Sequence, residues 1–215
     1  MITALLRRPQ AEFMIIYVAV PLALAIIRPH SWIYTVLWFF ALLAWRMLRQ
    51  HYQISWREEW NMAALNKAEL RRILKRFLPF AVALTFFTWI KIPQQLFLLP
   101  AQKPLVWVGV LVLYPLLSVF PQEIIYRSYY FRRYQNWPHD ATQRFVLNCL
   151  VFGWVHIVLH NWVAVVFSTI GSAMFTQTYL RTRSLAAVCF EHALYGCYVF
   201  TVGLGYYFYH GMAVR

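Results

Sequence analysis

Acidic residues are scarce in this chain: 7 Asp and Glu stand against 20 Lys and Arg, for a formal net charge of +13. The excess does not mark a nucleic-acid partner, because the basic residues flank apolar runs. They read as loop anchors that meet anionic lipid head groups. Cysteine is sparse too. Cys149, Cys189 and Cys197 all fall in apolar runs, none in a CxxC pair, and read as small core residues. The chain has no Gly-rich phosphate loop, no internal repeat and no low-complexity tract. Its first residues, through Arg7 and Arg8, carry no cleavable signal pattern, so the first span is expected to stay as an anchor.

What is plentiful is apolar surface. Of the 215 residues, 61% are hydrophobic and 19% aromatic, with a mean hydropathy of +0.51. Soluble domains hold about 45–50% apolar residues, so the composition predicts an all-α polytopic transmembrane helix bundle. About seven spans are expected, near 13–27, 32–45, 77–99, 104–131, 144–160, 162–180 and 185–209. The first two are short against the ~20 residues a span needs, so flanking residues must contribute. Pro121 is expected to kink the fourth. Residues 1–100 read as scaffold and 101–215 as the core bundle.

Between the second and third spans, residues 46–76 carry eight basic side chains. Asn66-Lys67-Ala68-Glu69 resembles a capping box, with Leu65 and Leu70 placed as a hydrophobic staple. Leu70, Ile73, Leu74 and Phe77 then repeat at helical spacing, which predicts a basic amphipathic helix on the membrane surface. Asp140 and Ser184 are further expected caps, and Ser168, Gly171, Ser172 and Ala173 suit close helix packing. With the N-terminus inside, 15 basic residues fall on the inner side and 4 (Arg28, Lys91, Lys103, Arg215) on the outer. This bias predicts a cytoplasmic N-terminus.

A few ionisable groups interrupt the apolar spans. An isolated charge at mid-bilayer costs roughly 2.5–3.5 kcal/mol on the mildest scale. Glu123 and Arg127 stand i,i+4 in Phe120-Pro121-Gln122-Glu123-Ile124-Ile125-Tyr126-Arg127, so one face can pair them; an ion pair clipping two helices is the bland reading. His156 and His160 share a face at i,i+4, a spacing that serves a metal or a reacting oxygen. Glu191 and His192 sit side by side, pointing about 100° apart. Taken together, these groups predict a polar site inside the bundle.

The pattern resembles the CPBP family of intramembrane peptidases (CAAX proteases and bacteriocin-processing enzymes, also called Abi). That family shows EExxxR on one span, FxxxH on the next and HxxxN or HxxxD on a later one. Here Glu123 precedes Arg127, Phe152 precedes His156, and His192 follows, over about residues 104–205. Gln122 stands where the family has its first Glu, thought to activate the attacking water, and Gly196 where it has Asn or Asp. An amide cannot take that proton, so Glu123 or Glu191 inherits the base role if the site is hydrolytic. The gap at Gly196 is open to His160, Gln122 or a water.

The resemblance implies an intramembrane endopeptidase acting on a membrane-anchored peptide or protein. In it, Glu123, Arg127, His156, His192, Gln122 and Glu191 form the catalytic set. It also implies a divalent metal, zinc, on His156, His192 and Glu123, with His160 as a weaker ligand. The expected setting is a bacterial inner membrane. Two rivals stay open: a non-catalytic relative that binds a membrane partner, favoured by Gln122 and Gly196, and a proton or ion pathway.

Overall fold

A computed structural model describes residues 8–28 and 32–208. Expectations that fall on Arg7, Tyr209 and Arg215 lie outside the described residues. The helices are α1 (Pro9–Ile27), α2 (Ile33–Tyr52), α3 (Trp56–Trp60), α4 (Lys67–Lys91) and α5 (Leu98–Gln102). Then come α6 (Pro104–Arg133), α7 (Ala141–Leu159), α8 (Trp162–Thr182) and α9 (Leu185–Val202). No strand occurs among the described residues.

Six of these helices, α1, α4, α6, α7, α8 and α9, are long and apolar enough to cross a membrane. The seventh long helix, α2, has 20 residues and carries Arg46 and Arg49 toward its end. It packs along the second half of α6. The chain is an integral membrane helix bundle.

Helix starts follow the local chemistry that the sequence carries. Asp140 accepts from the N–H groups of Thr142 and Gln143 at 3.2 and 3.0 Å. Ser184 accepts from Ala187 N–H at 3.1 Å. Each such cap is worth about 1 kcal/mol. Asn66 caps α4 as expected, through Ala68 and Glu69. The reciprocal half of its box does not form, because Glu69 turns instead to Arg72 at 2.9 Å and to Arg181. A complete capping box opens α3, where Ser55 and Glu58 exchange bonds of 2.9 and 3.3 Å.

The amphipathic surface helix expected before the third span is not a separate element. Residues 67–91 form one continuous helix. Ile73 is buried in the bundle while Leu74 stays exposed. In α6 the chain passes Pro121 through widened π turns, Pro115–Val119 and Ile124–Tyr129. Carbonyls of the second find side-chain donors. Tyr17 Oη donates to Ile125 O at 3.0 Å, and Asn148 Nδ2 to Tyr126 O at 2.6 Å. Such π segments recur at functional sites.

The first hundred residues are fastened to the rest by buried carboxylates at the basic end. Glu12 on α1 takes Arg133 at 2.5 Å and the Tyr129 hydroxyl at 2.6 Å. Glu59 on α3 takes the hydroxyls of Ser128 and Tyr179 at 2.6 and 2.5 Å. Composition could not foresee these clasps, since each partner lies more than sixty residues away. Cys149 is buried, Cys189 and Cys197 half-buried, and all three are free thiols.

Candidate active site

The site is assembled where α6, α7, α8 and α9 meet. Glu123 and Arg127 are both fully buried. Arg127 Nε lies 3.3 Å from Glu123 Oε2, an ion pair without hydrogen-bond alignment. The rest of the guanidinium is well held. It donates to Tyr126 O at 3.2 Å, to Asn148 Oδ1 at 3.1 Å and to Ser172 Oγ at 3.1 Å. Its planar group lies 4.7 Å over the ring of Phe152, a favourable cation–π placement.

The other oxygen of Glu123 accepts from His192 Nδ1 at 2.7 Å. The result is a chain of three buried groups: guanidinium, carboxylate, imidazole. The His192 ring stacks on Phe175 at 4.5 Å with planes 20° apart, which fixes its tilt. Its second nitrogen, Nε2, lies 3.2 Å from the hydroxyl of Tyr114.

Phe152 is the hub. Besides the guanidinium, its ring meets His156 at 5.2 Å and His192 at 5.6 Å. His156 joins the site through this ring. Its Nδ1 lies 2.8 Å from the carbonyl of Phe152. A carbonyl only accepts, so Nδ1 carries the hydrogen and the neutral ring offers Nε2 as an acceptor. Gly153 allows α7 to approach α8 closely. A Cβ there would stand 1.8 Å from Thr169 Oγ1.

Two cavities adjoin these groups. A small one of about 60 Å³ is shared by His156, His192, Tyr114, Phe175, Tyr195 and Gly196. A larger one of about 580 Å³ lies between α1, α2, α6 and α7. Its walls are mostly apolar, with Ile16, Leu24, Leu37 and Phe40 among them, and His156, Tyr114, Gln122 and His160 supply polar atoms. Tyr114 and His156 line both. Consecutive helical residues point about 100° apart. Accordingly Gln122 faces the large cavity while Glu123 faces His192. Gln122 donates to Ser118 Oγ at 2.7 Å, and its carbonyl oxygen is buried without a hydrogen-bond partner.

Several sequence expectations are corrected by this geometry. Glu191 does not join His192. It turns toward α4 and pairs with Arg76 at 2.9 Å, lining neither cavity, so it is not placed as a substitute base. Glu123 also lines neither cavity, and both of its oxygens face site residues. His160 lies at the end of α7 with a left-handed backbone and borders only the large cavity. The space left by Gly196 is filled by neither His160 nor Gln122. Tyr114 fills it: a Cβ on Gly196 would meet the Tyr114 ring and hydroxyl at 2.3 Å. Tyr114 was missed in the sequence because one more tyrosine in an apolar run carries no signal. Asn148, Ser172 and Phe175 were missed for the same reason.

The donor set does not fit the implied zinc ion. Among the described residues no group of three or more His, Cys, Asp or Glu side chains stands where it could hold a metal. Both nitrogens of His192 and both oxygens of Glu123 already face protein partners, so no step is routed through a metal.

The fold and the site define a membrane bundle with a buried Arg–Glu–His chain beside an apolar chamber. Residues 103–198 match the family model described as type II CAAX prenyl endopeptidase Rce1-like. That segment, somewhat under half of the chain, is thereby similar to the CPBP intramembrane peptidases. No curated protein and no solved structure matches the chain.

Proposed function

We propose that this protein is an intramembrane endopeptidase in which an imidazole takes the proton that a motif glutamate takes in the family. The observation that carries the reading is the buried Arg127–Glu123–His192 chain, with His156 beside it at the meeting of two cavities. A peptide tethered to the membrane enters the large chamber with its apolar anchor among Ile16, Leu24, Leu37 and Phe40. Water sits between the unpartnered carbonyl of Gln122 and Nε2 of His156. His156 abstracts a proton as water attacks the peptide carbon. The carbonyl oxygen gathers negative charge on the side of His192, which Glu123 holds in orientation. Arg127 holds Glu123 in place. When the C–N bond breaks, the proton on His156 passes to the leaving amine. The family description points to prenylated CAAX substrates, and the proposed setting is a bacterial inner membrane with a cytoplasmic N-terminus.

The test uses the full chain in phospholipid vesicles with a farnesylated CAAX peptide and, in parallel, an acyl-anchored peptide. Mass spectrometry reads the released fragment. His156→Ala and His192→Ala are each expected to lower cleavage by about 10²–10⁴-fold. Full cleavage by both variants would overturn the reading. A second reading, a non-catalytic relative that binds a membrane partner, draws on one observation: no carboxylate faces the large cavity. Gln122→Glu separates the two. An imidazole-based enzyme cleaves before and after the change, whereas a silent relative gains cleavage only with the new carboxylate or not at all.

A further inference from the structure

Gly196 and Tyr114 fit each other too closely for Gly196 to be merely a lost ligand. Gly196 lies one helical turn after His192, where a side chain would reach back toward the imidazole. Instead, the space its Cβ would take holds the Tyr114 ring, with Oη and two ring carbons within 2.5 Å of that position. The ring enters from α6, at the turn where Pro115 opens a π segment. It is steadied edge-on by Phe200 at 5.3 Å. Its hydroxyl lies 3.2 Å from His192 Nε2. Tyr114 also borders both cavities, so the residue stands between the buried chain and the chamber.

We infer that Tyr114 is a catalytic residue: its hydroxyl supplies the hydrogen-bond donor for the tetrahedral oxyanion that the side chain at position 196 no longer supplies. This rests on the peptidase reading above. At the tetrahedral stage the Tyr114 hydroxyl swings its hydrogen away from His192 Nε2, 3.2 Å off. That leaves the tyrosine O–H free to point into the chamber. As water adds to the peptide carbon, the carbonyl's π pair moves onto oxygen, which accepts from Tyr114 Oη–H. When the C–N bond breaks, the pair returns to the carbonyl and the tyrosine keeps its proton throughout. An electron-rich oxygen thus meets a neutral donor backed by the charged chain behind it, in a site shielded from bulk water.

The experiment compares full-length wild type, Tyr114→Phe, Gly196→Asn and Tyr114→Ala/Gly196→Asn in phospholipid vesicles, with the farnesylated CAAX peptide as probe. Tyr114→Phe keeps the ring that fills the gap and removes only the donor. It is expected to lower kcat about 10²-fold with KM and thermal stability little changed. Gly196→Asn alone should lose activity, since the ring occupies its space. The double variant, which trades the tyrosine for an amide beside His192, should recover at least tenfold over Tyr114→Phe. A ring needed only for packing predicts the reverse: Tyr114→Phe as wild type, and the double variant impaired. If wild type cleaves and Tyr114→Phe cleaves equally, the role of Tyr114 falls and the peptidase reading stands. If wild type releases nothing from the probe, both fall together.

Discussion

Replacing Arg127 by methionine removes the guanidinium that faces Glu123 and keeps most of the buried volume. The structure says which loss dominates. Asn148 Oδ1 would still accept from Thr176 at 2.8 Å, and Tyr126 O from Asn148 Nδ2 at 2.6 Å. Those acceptors each keep a partner, and the Ser172 hydroxyl can turn. Glu123 cannot compensate, because it is fully buried and left with His192 alone. Removing one member of a buried pair costs about 3–5 kcal/mol, and the loss here should fall in that range. Glu123→Gln/Arg127→Met neutralises the orphaned carboxylate and should recover at least about 1–2 kcal/mol of it through the coupling term. Arg127→Lys should lie between, keeping charge but losing the planar fork. Reversible unfolding in mixed micelles, followed by the fluorescence of the 10 tryptophans, measures wild type, these three variants and Glu123→Gln alone. The reasoning is refuted if Arg127→Met stays within about 1 kcal/mol of wild type, or if the double variant equals the sum of the singles.

Other outcomes follow from single contacts. Gly196→Ala should destabilise by about 1–3 kcal/mol through overpacking against Tyr114, and Tyr114→Ala in the same chain should relieve it; equal unfolding midpoints would contradict the close fit. Glu191→Gln should leave peptide cleavage within about twofold of wild type, since Glu191 pairs with Arg76 away from both cavities; a loss above tenfold would return Glu191 to the site. The Glu58 carboxyl is held below its ordinary range, first by the Ser55 backbone N–H and then by the Ser55 hydroxyl. A depressed acid contributes stability above its unfolded value and loses it as pH falls through the folded one. Amide-exchange protection factors at the start of α3, corrected for the intrinsic rate at each pH, should therefore fall as pH drops below the usual glutamate range, and Ser55→Ala should erase that dependence.

The composition was enough to decide the solvent of this fold. With 61% hydrophobic residues gathered in long runs between short basic stretches, helices rather than the short alternating strands of a barrel satisfy the backbone in lipid. Asn66, Asp140 and Ser184 marked three of the helix starts, because caps act within four residues and are legible locally. Glu123, Arg127, Phe152, His156 and His192 were likewise visible, since charge in an apolar run stands out and the spacing is a local property. Glu123 with Arg127 could be paired from i,i+4 geometry alone.

What lay beyond the sequence was direction across helices. Gln122 and Glu123 are neighbours, yet one faces the chamber and the other His192. Glu191 and His192 are neighbours, yet one serves α4 and the other the site. Tyr114 and Gly196 stand far apart in the chain and fill one space. Helical phase at a crossing is set by side-chain packing between distant segments, and π turns in α6 shift it in a way that composition does not announce. The chain's residues determined that a polar cluster must be buried in a membrane bundle; only tertiary packing decided which carboxylate holds the imidazole and which hydroxyl stands beside it.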